Sequence, residues 1–395
     1  MGVEVRPLNV LCNIQCQYCY QTPIRDADNV STSYDLVKIK EAIAQEGRPF
    51  TLFGGEPLLV PLRDLESLWA WGYERFGRNS VQTNGTLISD DHIRMFHRYA
   101  VHVGISMDGP AELNDIRWHG SVARTRETTA KSQAAIERLC AERLTPSLIV
   151  TLHRVNAGKE RLPRLIQWVR DLHASGVVNF RLHLLESESP TIRATYALTR
   201  EENIDALVAF LALTHELSGL RVDLFSEMTD LLRGSDSRAT CTWKNCDPYT
   251  TKAVQGIEGK GQKSNCGRTN KDGVEFVKAS TEGFERYIAL YHTPKEYQGC
   301  KDCRFFLMCK GQCPGTAIEG DWRNRSEHCE IWTAIFELLE RQILAEGVTP
   351  LSLSAERPAL ERLLLNRWAQ GRSISLTSAV AILSESVEFA EKQET

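Results

Sequence analysis

Three cysteines near the N-terminus, Cys12, Cys16 and Cys19, are spaced C-x3-C-x2-C directly after an apolar run. Three thiolates can hold three corners of a four-iron cluster, which leaves one iron without a protein ligand and open to a small molecule. A structural zinc site with a borrowed fourth ligand, or three unrelated thiols, are the alternatives on spacing alone. No fourth His or Cys is nearby in sequence, Tyr18 lies inside the motif and Tyr20 follows it.

Groups suited to a zwitterionic ligand recur downstream. Gly54-Gly55-Glu56-Pro57 offers close backbone approach and a carboxylate acceptor for an ammonium group. Asn84, Ser106 and Asp108 can bind hydroxyls or an amine, and Arg117, Arg124 and Arg126 can clamp a carboxylate. Together they would satisfy a methionine-like head group and a ribose. Singly, each also reads as an ordinary turn or loop.

These residues need elements to position them. Apolar runs predict strands over 3–11, 50–53, 80–82, 101–107, 146–152 and 177–185. Helices are expected between them, over 35–45, 62–76, 89–99, 129–142 and 162–173, and from the Thr199 and Glu202 capping pair to 217. This alternation argues for an α/β unit with a parallel sheet, either curled into a barrel or doubly wound. The cysteine loop, Gly-Gly-Glu-Pro, Thr83-Asn84-Gly85 and Ser106-x-Asp108 all follow a strand. That edge is where parallel α/β folds assemble active sites. After 219 the alternation stops. Residues 226–263 read as loop, and helices are expected over 331–345, 355–369 and 377–388.

The chain has 395 residues, enough for two or three domains, and a net charge of −4 that gives no footprint for nucleic acid. No apolar run of about 18 residues indicates a membrane span. The N-terminus shows no signal peptide, so a cytosolic protein is expected. Of 12 cysteines, three lie at 12–19, one at 140 and eight from 241 to 329. In a cytosolic chain that distribution points to two metal-bearing regions rather than disulfides. The last region contains Cys300-x2-Cys303-x5-Cys309-x3-Cys313, preceded by Cys241, Cys246 and Cys266 and followed by Cys329. Zinc ribbons and iron–sulfur clusters both use such spacings.

The cysteine triplet with Gly54-Gly55-Glu56-Pro57, Thr83-Asn84-Gly85 and Ile105-Ser106-Met107-Asp108-Gly109-Pro110 resembles the radical S-adenosylmethionine (SAM) superfamily, and the distal cysteines resemble its SPASM subfamily. The likeness spans roughly residues 5–330. It implies a partial six-unit βα barrel over 1–220, a SPASM domain over 221–335 and a helical extension over 336–395. It implies SAM as cofactor and three four-iron–four-sulfur clusters. Cys12, Cys16 and Cys19 would hold the first, Cys241, Cys246, Cys266 and Cys313 the second, and Cys300, Cys303, Cys309 and Cys329 the third. If Cys241 is not a ligand, one iron stays open to substrate, or Cys241 could donate a hydrogen atom. Tyr18, Gly54, Gly55, Glu56, Asn84, Ser106 and Asp108 would surround SAM, with Arg126 the better match for its carboxylate and Arg117 the weaker.

The implied activity is reductive cleavage of SAM to a 5′-deoxyadenosyl radical that abstracts hydrogen from a peptide residue. A crosslink in a ribosomally made peptide is the favoured outcome. Oxidation of a protein side chain or a small molecule is the alternative, and a zinc-bearing binding scaffold is the alternative outside enzymes. Implied partners are a precursor peptide, a flavodoxin- or ferredoxin-type protein and a separate peptide-recognition protein, with no nucleic acid and no membrane. Candidate proton acceptors are Glu186 and Glu188 after the sixth strand, and Asp247 and Tyr249 beside Cys246. Sulfatase-maturing relatives carry an acidic residue where this chain has Gly267, which argues against that substrate. Cys140 and the scattered histidines, His183 among them, read as structural.

Overall fold

A computed structural model of the protein describes residues 3–22, 25, 32–187, 189–244, 246–247, 254–268 and 283–391. It falls into two compact units, residues 2–223 with 255–277, and residues 224–254 with 278–395.

The first unit is a parallel sheet wrapped by helices. In chain order it contains β1 (Val3–Arg6), α1 (Leu36–Glu46), β2 (Phe50–Leu52), α2 (Leu62–Phe76), β3 (Asn79–Thr83), α3 (Asp90–Arg98) and β4 (Val101–Ser106). There follow α4 (Val122–Ala141), β5 (Ser147–Leu152), α5 (Leu162–Ala174), β6 (Asn179–Leu184), α6 (Arg200–Glu216) and β7 (Arg221–Val222). Helix ends follow local chemistry. The Asp35 side chain accepts from the Val37 and Lys38 amides, and Gly47 closes α1 at φ 64°. Thr199 and Glu202 form a capping box on α6.

Strands β1 to β7 neighbour one another in sequence order, so the active edge collects every strand-end loop. The α/β fold with a parallel, barrel-like sheet is as expected. Residues 226–263, however, are not all loop. They contain most of α7 (Asp223–Leu232) and all of β8 (Gln255–Glu258). Leu224, Phe225, Met228, Leu231 and Leu232 are buried at helical spacing in α7. Strand β8 pairs in parallel with β1, and β9 (Lys263–Ser264) returns antiparallel. Residues 255–264, expected within the cysteine-rich domain, thus form a hairpin that belongs to the barrel unit.

The sheet's polarity is the informative feature. Parallel strands covered on both faces usually read as unbroken apolar runs. Here Phe180, Leu182 and Leu184 are buried while the alternating Asn179 and Arg181 are exposed. In β1, Val3 and Val5 are fully buried and flank Glu4. One face packs under helices, where each large apolar side chain such as Trp69 contributes about 1.5–3 kcal/mol. The other face is polar, as the inside of an open barrel must be to accept a polar guest.

The second unit is helical and aromatic. After α7 it contains α8 (Glu285–His292), α9 (Cys329–Ala345), α10 (Arg357–Ala369) and α11 (Leu376–Glu391). Phe284 stacks on Trp368 with ring centroids 6.2 Å apart, and Phe305 on Phe336 at 5.2 Å. Among the described residues no helix is long and apolar enough to cross a membrane.

Candidate active site

The cysteine loop is held from both sides by backbone. Gly55 N donates to Asn9 O at 3.0 Å and Glu56 N to Leu11 O at 2.8 Å. Gln15 N donates to Trp118 O at 2.7 Å and Gln17 N to Ile116 O at 2.9 Å. A Cβ at position 55 would meet Leu11 O at 2.1 Å, and one at 54 would meet Asn9 O at 2.5 Å. The two glycines are thus required by the chain leading into the cysteines. Asn84 Nδ2 donates to Asn13 Oδ1 at 2.8 Å, which ties the third strand end to the same loop.

Two of the acidic residues singled out by sequence, Glu56 and Asp108, are anchors of this edge. Glu56 is 1% exposed. Its oxygens accept from the Leu58 amide at 3.0 Å, the Thr83 hydroxyl at 2.7 Å and the Asn84 amide at 2.8 Å. Burial pushes its carboxyl up, and these hydrogen bonds oppose the shift. Asp108 is fully buried, and accepts from the Thr151 amide at 2.9 Å and the Tyr18 hydroxyl at 2.5 Å. His153 Nε2 stands 3.6 Å from its second oxygen. Burial alone would raise Asp108, but the His153 imidazole, the Arg117 charge and the Tyr18 hydroxyl hold it below the usual carboxylate range. Ser106 accepts from Gln82 Nε2 at 2.9 Å.

The geometry sends the two arginines to different partners. Residues 122–128, expected in a loop, start α4, with the Ser121 hydroxyl accepting from the Arg124 amide. Helix geometry turns Arg126 toward Asp115, whose two oxygens accept from its Nε and Nη2. Arg117 instead donates to the Tyr18 hydroxyl at 3.0 Å, inside the cysteine motif. Burial pushes the Cys16 thiol up to about 12, neighbouring thiols act the same way, and Arg117 opposes them. Such thiols ionise when a metal arrives to share their charge, so the loop fits a metal centre.

A second polar group on the inner face was singled out by sequence only at Glu186. Arg6 pairs with Glu258 at 3.0 Å and donates to the Ser264 hydroxyl at 2.9 Å. Arg268 donates to Glu186 at 2.6 Å and to His183 Nδ1 at 2.7 Å, and lies 5.7 Å over the Tyr20 ring. Glu4 shares this space; burial raises its carboxyl, Arg6 lowers it and Glu258 raises it. Two charges inside the buried Val3–Arg6 strand were the available signal. Glu186, just after β6, is paired with Arg268, whereas Glu188 and Tyr249 lie outside the described residues.

In the second unit Cys300, Cys303, Cys309 and Cys329 line one small cavity with Phe305 and Arg325. Burial pushes the Cys300 thiol up to about 12, Cys303 and Cys329 add to this, and Arg286 and Arg325 oppose it. Four thiols converging on one small cavity fit the third expected cluster. Cys241, Cys246 and Cys313 lie in this unit and Cys266 in the barrel unit. Asp247, beside Cys246, is buried. Among the described residues no three of His, Cys, Asp and Glu are placed to hold a single metal ion.

Residues 7–184 match the model of the radical SAM superfamily. The cysteine-type anaerobic sulfatase-maturating enzyme of Clostridium perfringens (strain 13 / Type A) is 25% identical over 357 residues, covering 79% of this chain and 88% of that protein. The serine-type anaerobic sulfatase-maturating enzyme of Klebsiella aerogenes is 31% identical over 167 residues, 40% of this chain and 41% of that protein. Among solved structures, native anSMEcpe with bound AdoMet and Cp18Cys peptide is similar with a TM-score of 0.66 at 19% identity, covering 87% of this chain and 98% of that one. SuiB from Streptococcus suis bound to S-adenosylmethionine has a TM-score of 0.51 at 14% identity, covering 83% and 77%. At these identities the structural likeness speaks for the fold.

Proposed function

We propose that this radical SAM enzyme, a relative of the anaerobic sulfatase-maturating enzymes, removes hydrogen from a residue of a peptide held on the polar inner face of its barrel and leaves a crosslink there. The observation that carries the reading is the four-thiol cavity of the second unit. A second redox group suits a net oxidation. Loss of a hydrogen atom, one electron and one proton amounts to loss of two hydrogens.

Cys12, Cys16 and Cys19 would hold the first cluster. Tyr18, Arg117, Asn84, Ser106, Asp108 and the Gly54–Glu56 turn would surround SAM, and Arg126, paired with Asp115, would stay outside. When bound, these groups supply a 5′-deoxyadenosyl radical that takes hydrogen from an unactivated carbon, chemistry no side chain offers. The chain's own task is to hold the target carbon and exclude water. Asp108 and Arg117 fix the Tyr18 phenol from two sides. Glu4 on the inner face joins Glu186, Glu188, Asp247 and Tyr249 as a candidate proton acceptor. A precursor peptide, a small electron-transfer protein and a separate peptide-recognition protein are the proposed partners, in the cytoplasm.

The second reading is oxidation of a protein side chain, as the names of the sulfatase-maturating relatives suggest. They support it as well as they support crosslinking, so Gly267 does not decide against it. A Cβ at 267 would meet the Tyr20 ring at 2.7 Å, so either reading needs a proton acceptor elsewhere.

The test is anaerobic reconstitution, iron analysis and co-expression with any short peptide encoded beside the gene. Brown protein with about twelve irons per chain that cleaves SAM to 5′-deoxyadenosine, and a peptide two hydrogens lighter with a new bond, is the expected result. A peptide oxidised at one side chain without a crosslink selects the second reading. Colourless protein holding zinc would leave only the binding scaffold.

A further inference from the structure

We propose that Arg286 and Arg325 are the built-in countercharge of a four-iron cluster held by Cys300, Cys303, Cys309 and Cys329, and that they raise its reduction potential. The proposal rests on the cluster reading given under Proposed function.

Arg286 is 1% exposed, although arginine is almost never fully buried unless paired. Its guanidinium donates only to carbonyls: Trp322 O at 2.6 Å, Lys310 O at 3.2 Å, Asn324 O at 3.1 Å and Gly311 O at 3.4 Å. Arg325 lines the four-thiol cavity and donates to Lys295 O at 2.7 Å and Gly299 O at 2.9 Å. These carbonyls, with the Tyr287 ring 5.9 Å from the Arg286 guanidinium carbon, satisfy the N–H groups but supply no negative charge. Among the described residues neither arginine pairs with a carboxylate. The unit is not short of them: Arg304, beside Cys303, pairs with Glu337 at 3.3 Å and Glu340 at 3.2 Å. An unpaired buried cation costs several kcal/mol, so Arg286 calls for an anion, while Arg325, half-buried, lines the thiol cavity itself. Gly311, whose carbonyl takes an Arg286 bond, lines the same cavity.

A four-thiolate cluster is anionic when oxidised and more so when reduced. Fixed positive charges in a low-dielectric surround favour the reduced form, and net charge is one of the factors that set such potentials. The carbonyl cage holds the Arg286 guanidinium so that it cannot swing away to solvent.

The experiment is a redox titration of the reconstituted full chain followed by electron paramagnetic resonance. The component lost in a Cys303→Ser variant identifies the cluster. Arg286→Gln with full iron should lower the ratio of reduced to oxidised cluster at the wild-type midpoint at least tenfold, a shift of about 59 mV for one electron. Arg286→Lys, which keeps the charge, should stay near wild type. Gln and Lys variants that shift alike, or do not shift, overturn the proposal. If Arg286→Gln fails to assemble the cluster, Arg325→Gln decides: a more negative potential supports the proposal and an unchanged one overturns it. A wild-type chain with no Cys303-dependent component overturns the cluster reading and this proposal together. An intact cluster with an unmoved potential overturns the charge assignment alone.

Discussion

Two arginines nine residues apart show why residue identity does not give residue role. Arg126 is spent on Asp115 at the surface, where such a pair is worth about 0–1 kcal/mol. Arg117 faces the Tyr18 phenol within the cysteine motif. Arg117→Gln should therefore weaken SAM binding at least about tenfold, the loss of one charged hydrogen bond, whereas Arg126→Gln should change it less than about twofold; equilibrium dialysis of reconstituted protein reads both. Asp108 yields a pH prediction. Its folded-state carboxyl sits below its unfolded value, so its stabilisation is fully present above the unfolded value of about 3.9 and is lost as pH falls through the lower folded one. Asp108→Asn, which sets an amide against the Thr151 N–H or the Tyr18 hydroxyl, should cost about 1–3 kcal/mol, and that cost should be flat from pH 6 to 8 in denaturant titrations.

Elements place these side chains, and their joints are where substitutions should tell most. Gly55→Ala drives a Cβ into the Leu11 carbonyl, a backbone atom that cannot rotate aside. The variant should lose about four irons and SAM cleavage while its circular dichroism stays near wild type. In the second unit Asp236 caps α11: its oxygens accept from the Leu376 amide at 2.9 Å and the Thr377 amide at 3.2 Å. Burial would raise this carboxyl, but those amides and the Thr377 hydroxyl hold it low. Its contribution is thus present above about pH 4 and lost in acid below that. Asp236→Ala should cost about 1 kcal/mol and speed hydrogen exchange over residues 376–385, as acid does to the wild type. The helices were legible where caps and apolar spacing agreed, as at Asp35, Gly47 and Thr199. The strand-end motifs were legible too, because cysteine, glycine and acid at successive strand ends have few other uses. The partner of β1 was not legible. Gln255–Glu258 is four residues long, carries one aliphatic side chain, and is a strand because Val3–Arg6 offers it an edge 252 residues away. The direction of Arg126 was lost with the helix boundary, since a loop and a first helical turn aim the same side chain differently.

At the scale of the molecule, thiols are divided between two units whose interiors differ in kind. The barrel unit offers a polar inner face beginning at Cys12, Cys16 and Cys19. The second unit offers an aromatic interior with Cys300, Cys303, Cys309 and Cys329 on one cavity. That division predicts separable functions. Replacing Cys12, Cys16 and Cys19 together by alanine should remove about four of twelve irons and abolish all SAM cleavage. Cys303→Ser should remove a different four while leaving the barrel's own chemistry in place. The Cys303→Ser enzyme should therefore still form 5′-deoxyadenosine, yet release its peptide without loss of two hydrogens, because the second oxidation step has lost its acceptor. Quantifying 5′-deoxyadenosine and peptide mass in the same reaction reads the two activities side by side. If Cys303→Ser abolishes both, the thiol cavity is needed for the barrel to work at all, and the division of labour is wrong. If it abolishes neither, the cavity is no part of the oxidation, and the peptide's second electron leaves by another route.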